Sequence, residues 1–389
     1  MTEKVLSNKD YFFKQPFAER VKAGWDKFMQ GEEKLRIMIA NKEDPDSIAE
    51  YGHSLLSCAL FGICFEVGHN GAEGEKYDLI LSPEKDKFTL FFLDYFKRQA
   101  PKEALKNWNI ILGRPACGNH ILGFHGKKIS PSDVCVKIEK DSNSNYYSIV
   151  GYSKKLITVL KDDKKEALWF FDLLLDMTLG EIVNMRYISA IDMVEMPFDG
   201  KEKPIPLPDL PKEIEKVFGE KEGRDTVEGY LESCVGYQMK PDEESENFIP
   251  RHDIYVGFSS FSPIVNCYFN FDKYYMEQAK NNGAVAGFIF YPLWNFEEKE
   301  KNIKSDKMLN FRDELEKYIN INTNNSAFCF LGGATGVFFG YLDFIAWDLK
   351  AVLCAAEKFF ADKDYIPYAC FQAFSEDSES ILLKNQNQE

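Results

Sequence analysis

Phe17, Val21, Trp25, Phe28 and Met29 recur at i, i+4, i+8, i+11 and i+12, which places them on one side of a helix with Pro16 at its first turn. A cleaner stripe runs through Phe88, Phe91, Phe92, Tyr95 and Phe96 and predicts a helix packed on a sheet. It ends at Ala100, because the residue before Pro101 is driven out of the α region. Between these helices, Asp44 to Asp46 offers a turn and a helix start leading to Leu55 and Leu56. The apolar run Ala59–Val67 then reads as a buried strand, with Tyr77–Leu81 as its neighbour across the Gly-rich turn 69–74.

Shorter strands are expected at Trp108–Leu112, Ile121–Phe124, Val134–Ile138 and Tyr146–Val150. Leu168, Phe171, Leu174, Leu175 and Leu179 predict another helix, which passes Gly180 into a strand-like stretch, Ile182–Val194. In the second half, Ile254–Phe258, Val265–Phe269, Val285–Tyr291, Tyr368–Phe374 and Ile381–Leu383 read as strands. Asp272–Lys280, Phe311–Ile319 and Leu349–Phe360 read as helices. Ala327–Leu331 and Val337–Trp347 are expected to form a hairpin turning at the glycines of 332–336.

Runs of adjacent strands favour an α+β fold: two mixed, largely antiparallel sheet units with packed helices. Five prolines (197, 204, 206, 208 and 211) mark the expected boundary. It divides an N-terminal α+β unit (1–196) from a C-terminal acidic α+β unit (226–389) through a Pro-rich linker (197–225). A polar stretch, Lys240–Asn247, reads as an acidic loop.

Charge alters this picture more than composition does. The 389 residues carry 47 Lys and Arg against 62 Asp and Glu, net −15, with most of the excess in the second half. That balance excludes a protein whose task is to coat nucleic acid, which requires a basic surface to neutralise phosphates. No apolar run is long enough to span a bilayer and no secretory signal opens the chain, so no membrane association is expected. Nine cysteines without a C-x-x-C pair fit free thiols in a reducing, cytoplasmic setting.

Against this acidic background, residues 101–161 form a basic island, and within it lie the candidate ligand-binding residues Arg114, Cys117, His120, His125, Lys127 and Lys128. Arg114 is suited to gripping a carboxylate or phosphate, a histidine to moving protons near neutral pH, and Cys117 to nucleophilic attack. Cys117, His120 and His125 also have a spacing compatible with zinc, which would need a fourth group such as His69 or Asp133 to complete the set, and no metal is assigned. The glycines of 332–336 lack the lysine of a phosphate-binding loop, and no cofactor is assigned. Asp343, within an apolar strand, is read as an outward-facing position, and Arg251, His252 and Asp253 as the polar mouth of the strand that follows.

The stretches Tyr77–Glu84 and Trp108–Pro115, with Ala100 and Pro101 between them, resemble a pattern in a family of uncharacterised bacterial α+β proteins; Leu331–Gly336 with Tyr341–Phe344 is similar. This resemblance implies the fold class and brings no activity, cofactor or catalytic residue. With no complete catalytic constellation, the leading expectation is a non-catalytic binding or regulatory protein, such as one that neutralises a toxin, with a basic protein as partner. The alternative is a hydrolase or transferase acting on an anionic substrate at the 114–128 loop.

Overall fold

A computed structural model describes residues 15–69, 75–140, 146–198, 203–218, 226–241, 249–293 and 301–385. The acidic loop expected at 240–247 falls almost wholly outside the described residues. The fold is α+β. The chain forms two units that interleave in sequence: residues 34–49 with 63–231, and residues 1–33 with 50–62 and 232–389. Two helices, α1 (Phe17–Ala40) and α2 (Pro45–Leu56), contribute residues to both.

The first of these units contains a three-stranded sheet of β1 (Cys64–Gly68), β2 (Tyr77–Ser82) and β3 (Trp108–Leu112). β1 pairs antiparallel with β2, while β2 and β3 are parallel and joined through α3 (Lys87–Arg98). The aromatic stripe of α3 is buried, as are Leu79, Leu81, Ile110 and Leu112 of the strands. Asp86 starts this helix by accepting the backbone N–H groups of Phe88 and Thr89, both at 3.0 Å. β4 (Leu122–Phe124) and β5 (Lys127–Ile129) form a hairpin.

A four-stranded sheet follows, built from β6 (Cys135–Lys140), β7 (Tyr147–Tyr152), β8 (Ile188–Met193) and β9 (Ile205–Pro206) in the order β8-β7-β6-β9. Its core packs Val136, Tyr147 and Ile149 against Phe170, Phe171, Leu174 and Leu175. The helices preceding β8 are α4 (Ile157–Asp162), α5 (Lys164–Leu179) and α6 (Glu181–Tyr187). The strand-like reading of 182–194 therefore holds only for its second half: the first seven residues after Gly180 continue as helix, burying Ile182 and Tyr187. Within the Pro-rich segment, Leu207, Leu210 and Ile214 join the same core, the last two on α7 (Leu210–Phe218).

In the other unit a seven-stranded antiparallel sheet has the order β10-β11-β13-β14-β12-β15-β16. Its strands are β10 (Val235–Gln238), β11 (Ile254–Ser259), β12 (Val285–Pro292), β13 (Phe328–Gly336), β14 (Phe339–Ala346), β15 (Tyr368–Ala373) and β16 (Ile381–Asn385). The segment expected as a strand at 265–269 is instead α8 (Ser262–Phe269): Pro263 sits in its first turn, and Ile264, Val265 and Tyr268 share its buried side. The helix over Tyr274–Asn281 follows as α9. Two longer helices, α10 (Lys301–Asn322) and α11 (Leu349–Ala361), pack Phe311, Leu315, Val352, Leu353 and Phe360 onto one sheet face.

The glycines of 332–336 do not turn the hairpin; they continue β13, and the turn falls at Val337 and Phe338. Their smallness has another cause. A Cβ at Gly336 would lie 2.1 Å from a carboxylate oxygen of Asp253, and one at Gly333 would lie 2.4 Å from the Tyr341 carbonyl oxygen and 2.8 Å from the Arg312 side chain. Asp253 accepts the N–H groups of Phe338 and Phe339 and the hydroxyl of Tyr341, so it fastens the β13–β14 turn from beneath.

Asp343 is fully buried, contrary to the outward-facing reading, because the second face of β14 is covered as well. Arg251, itself buried, donates to Asp343 at 2.6 and 3.2 Å and to the Tyr237 hydroxyl at 3.0 Å. Its guanidinium lies 5.0 Å from the ring centres of Phe288 and Phe374. Replacing Asp343 with Ala should cost about 3–5 kcal/mol in urea unfolding, because a guanidinium is left alone in an apolar cage. The double replacement Arg251→Met with Asp343→Leu should recover most of that loss, and a single variant costing no more than an exposed ion pair would refute this account.

Candidate functional site

Parallel strands β2 and β3 end side by side, with Leu81 opposite Leu112. In such sheets ligands bind outside the carboxyl ends of the strands, so the residues that follow each strand are the place to look. After β2 the chain runs Pro83, Glu84, Lys85; after β3 it runs Gly113, Arg114. Glu84 and Lys85 both adopt positive φ, 51° and 65°, a conformation that a non-glycine residue holds only when its surroundings fix it. Each of the two side chains enters an ionic group.

In the first group, Arg114 donates from Nε to Glu66 at 2.6 Å and from Nη2 to Glu84 at 2.9 Å. Its backbone N–H donates to Glu181 at 3.0 Å, and its Nη1 lies 3.9 Å from the same carboxylate. Glu181, fully buried at the start of α6, also accepts the Ser82 hydroxyl at 2.8 and 3.0 Å. The loop reaches Glu181 because Gly180 takes φ 82° and leaves room for the Ala116 backbone, which a Cβ would meet at 3.2 Å. Desolvation works to raise the Glu84 carboxyl, but hydrogen bonds from Cys64, Ser82 and Arg114 overcome it and hold Glu84 below the usual range. Burial, reinforced by Glu84, pushes the Cys64 thiol up to about 11.

In the second group, Lys85 pairs with Asp172 at 3.4 Å and, more closely, with Asp176. Asn184 donates to both carboxylates, at 2.9 and 2.7 Å. The two aspartates stand four residues apart and therefore share one face of α5. Burial pushes the Asp176 carboxyl up to about 6 against the pull of Lys85 and Asn184, and the Asp172 charge adds to the rise. Beside this group opens a cavity of about 260 Å³, lined by Lys85, Asp172, Asn184, Met185 and Ile188–Ile191 of β8.

The six residues singled out in the sequence have separate placements. Arg114 belongs to the site, but as a cross-link among three carboxylates. Cys117 docks its N–H on the Met177 carbonyl, and burial raises its thiol, the direction opposite to that of an activated nucleophile. His120 is exposed. His125 and Gly126, with φ 47° and 72°, turn the β4–β5 hairpin, and the imidazole lies 2.9 Å from Glu166. Lys127 donates to the Lys155 carbonyl, and Lys155 returns a bond to the Lys128 carbonyl, both at 2.7 Å. Among the described residues no group of three His, Cys, Asp or Glu side chains is disposed to hold a metal ion. No helix among them is long and apolar enough to cross a membrane.

Sequence reading missed Lys85, Asp172, Asp176, Glu181 and Asn184. One signal was present: Asp172 and Asp176 interrupt the apolar helix at four-residue spacing, on a segment otherwise committed to a core. Comparison with known families, curated proteins and solved structures finds no match to the chain.

Asp176 makes a pH signature. Its folded carboxyl, at about 6, lies above its ordinary 3.8, so between these values the folded state holds a proton that the unfolded chain has released. The associated stabilisation is complete below the lower value and lost as pH rises through the upper. Asp176→Asn should remove this fall, so the stability difference between native and variant should change by about 3 kcal/mol across that window. Urea unfolding at a series of pH values measures it; parallel curves for the two proteins would refute the assignment.

Proposed function

We propose that this protein acts by binding, and that its partner is a protein presenting a basic group to the carboxylates at the ends of β2 and β3. The observation that carries this reading is the charge count at the site. Arg114 and Lys85 are surrounded by Glu66, Glu84, Glu181, Asp172 and Asp176, which leaves an excess of negative charge. Glu66 and Glu84 keep 51% and 58% of their side-chain surface exposed, so that excess is available to a partner. An enzyme gripping an anionic substrate would need Arg114 to abandon these carboxylates and then hold its substrate among them. Nine cysteines, none in a disulfide, fit action in the cytoplasm.

Calorimetric titration of the full chain with a lysine-rich and a glutamate-rich peptide of equal length tests this reading. The lysine-rich peptide should bind, and the glutamate-rich one should not. Affinity should drop at least about tenfold as the Debye length shrinks from about 30 Å at 0.01 M salt to about 8 Å at 0.15 M. The double variant Glu66→Gln, Glu84→Gln should bind the basic peptide more weakly than the native chain. Equal binding by the two proteins would remove the site from the interface, and preference for the acidic peptide would reverse the reading.

A further inference from the structure

β8 is an edge strand of the four-stranded sheet, and among the described residues it pairs on one side only, in parallel with β7. Val194 N–H donates to the Gly151 carbonyl at 2.9 Å, which sets the phase of the ladder. In a parallel pair alternate residues bond to the neighbour, so Asp192 and Val194 face β7, while the N–H and C=O of Ile191 turn to the open side. Protected edges carry lysine, proline or a covering loop. β8 reads Ile, Ser, Ala, Ile, Asp, Met, with neither lysine nor proline.

One end of this edge is already closed. Asp192 accepts the Met193 N–H at 2.8 Å and pairs with Lys164 at 2.8 Å, which occupies the polar groups there. The other part, Ile188–Ile191, forms one wall of the 260 Å³ cavity. Asp172 and Lys85 line it too; Lys85 is shared between Asp172, which keeps 30% of its side-chain surface exposed, and the buried Asp176 behind it in the same ionic group. Met185, Ile188 and Ile191 supply an apolar lining that suits the methylene stem of a long basic side chain.

Building on the binding reading above, we propose that the partner contributes an extended segment that adds to β8 as a fifth strand and places one lysine or arginine side chain in the cavity against Asp172. Main-chain hydrogen bonds to the open edge supply affinity, and Asp172 in the cavity lining selects the residue that enters it. The two features lie side by side, so one strand can use both.

The test pans a display library of short random peptides on the full-length chain and measures synthetic isolates. Enriched peptides should share a lysine or arginine at one fixed position among β-branched residues. N-methylation of the peptide amides that face β8 should weaken binding at least about tenfold, and amide exchange at Ile191 should slow in the complex. Asp172→Asn should reduce the advantage of lysine over norleucine at the fixed position. Ile191→Pro should weaken binding in step with N-methylation, and the methylated peptides keep the test decisive should that variant fold poorly. Basic peptides that bind equally well after N-methylation would overturn strand addition while leaving a cationic partner standing. Peptides enriched without any basic residue, with Asp172→Asn indifferent, would overturn both. Competition by arginine methyl ester with the full affinity of the peptide would make the ligand a small cation and overturn the strand.

Discussion

A charge removed from water must be met by an opposite charge or by hydrogen bonds, and this one constraint sets the local geometry of both units. Arg251 sits in an aromatic cage where a lone guanidinium would be untenable, so Asp343 faces it from β14 and Tyr237 from β10. Glu181 is equally buried, and it draws Ser82 and the Arg114 main chain onto itself. The glycines follow from the same requirement. Gly336 leaves space for the Asp253 carboxylate, and Gly180 for the loop that carries Arg114.

Elements with a clear apolar period were legible in the sequence. The stripe from Phe88 to Phe96 is the buried side of α3, and the runs at Trp108–Leu112 and Val285–Tyr291 are strands. Periodicity fails where a short apolar run suits either state. Val265–Phe269 and the residues after Gly180 are both helical, and in each case the decisive feature is which residues a neighbouring element covers. Asp343 was misjudged for a related reason: alternation tells which residues share a face, but not whether that face meets water. The glycines of 332–336 have turn composition, yet they serve packing beneath a strand.

The candidate site was legible only through Arg114. A sequence displays a basic side chain but not the carboxylates that fold around it, and Glu66, Glu84 and Glu181 come from three separate segments. Their convergence reverses the meaning of the residue. Taken alone, Arg114 suggests a receptor for an anion; among three carboxylates, it holds together a site of the opposite sign. His125 and Lys127 were conspicuous for their chemistry, whereas the structure uses them for a turn and for a bond to a main-chain carbonyl.

Stability and charge pull in opposite directions at Asp176. The carboxyl is more comfortable protonated, because burial disfavours its ionised form more than Lys85 and Asn184 support it. Above about 6 the fold therefore carries an ionised group at a cost, and that ionisation adds negative charge to the group around Lys85. A purely structural position would be better served by a neutral amide, which can accept the same bonds at the same atom. A carboxylate there costs stability above about 6 and adds negative charge beside Asp172 and Lys85. The positive φ values of Glu84 and Lys85 deliver their side chains to the two ionic groups, Glu84 to Arg114 and Lys85 to Asp172 and Asp176.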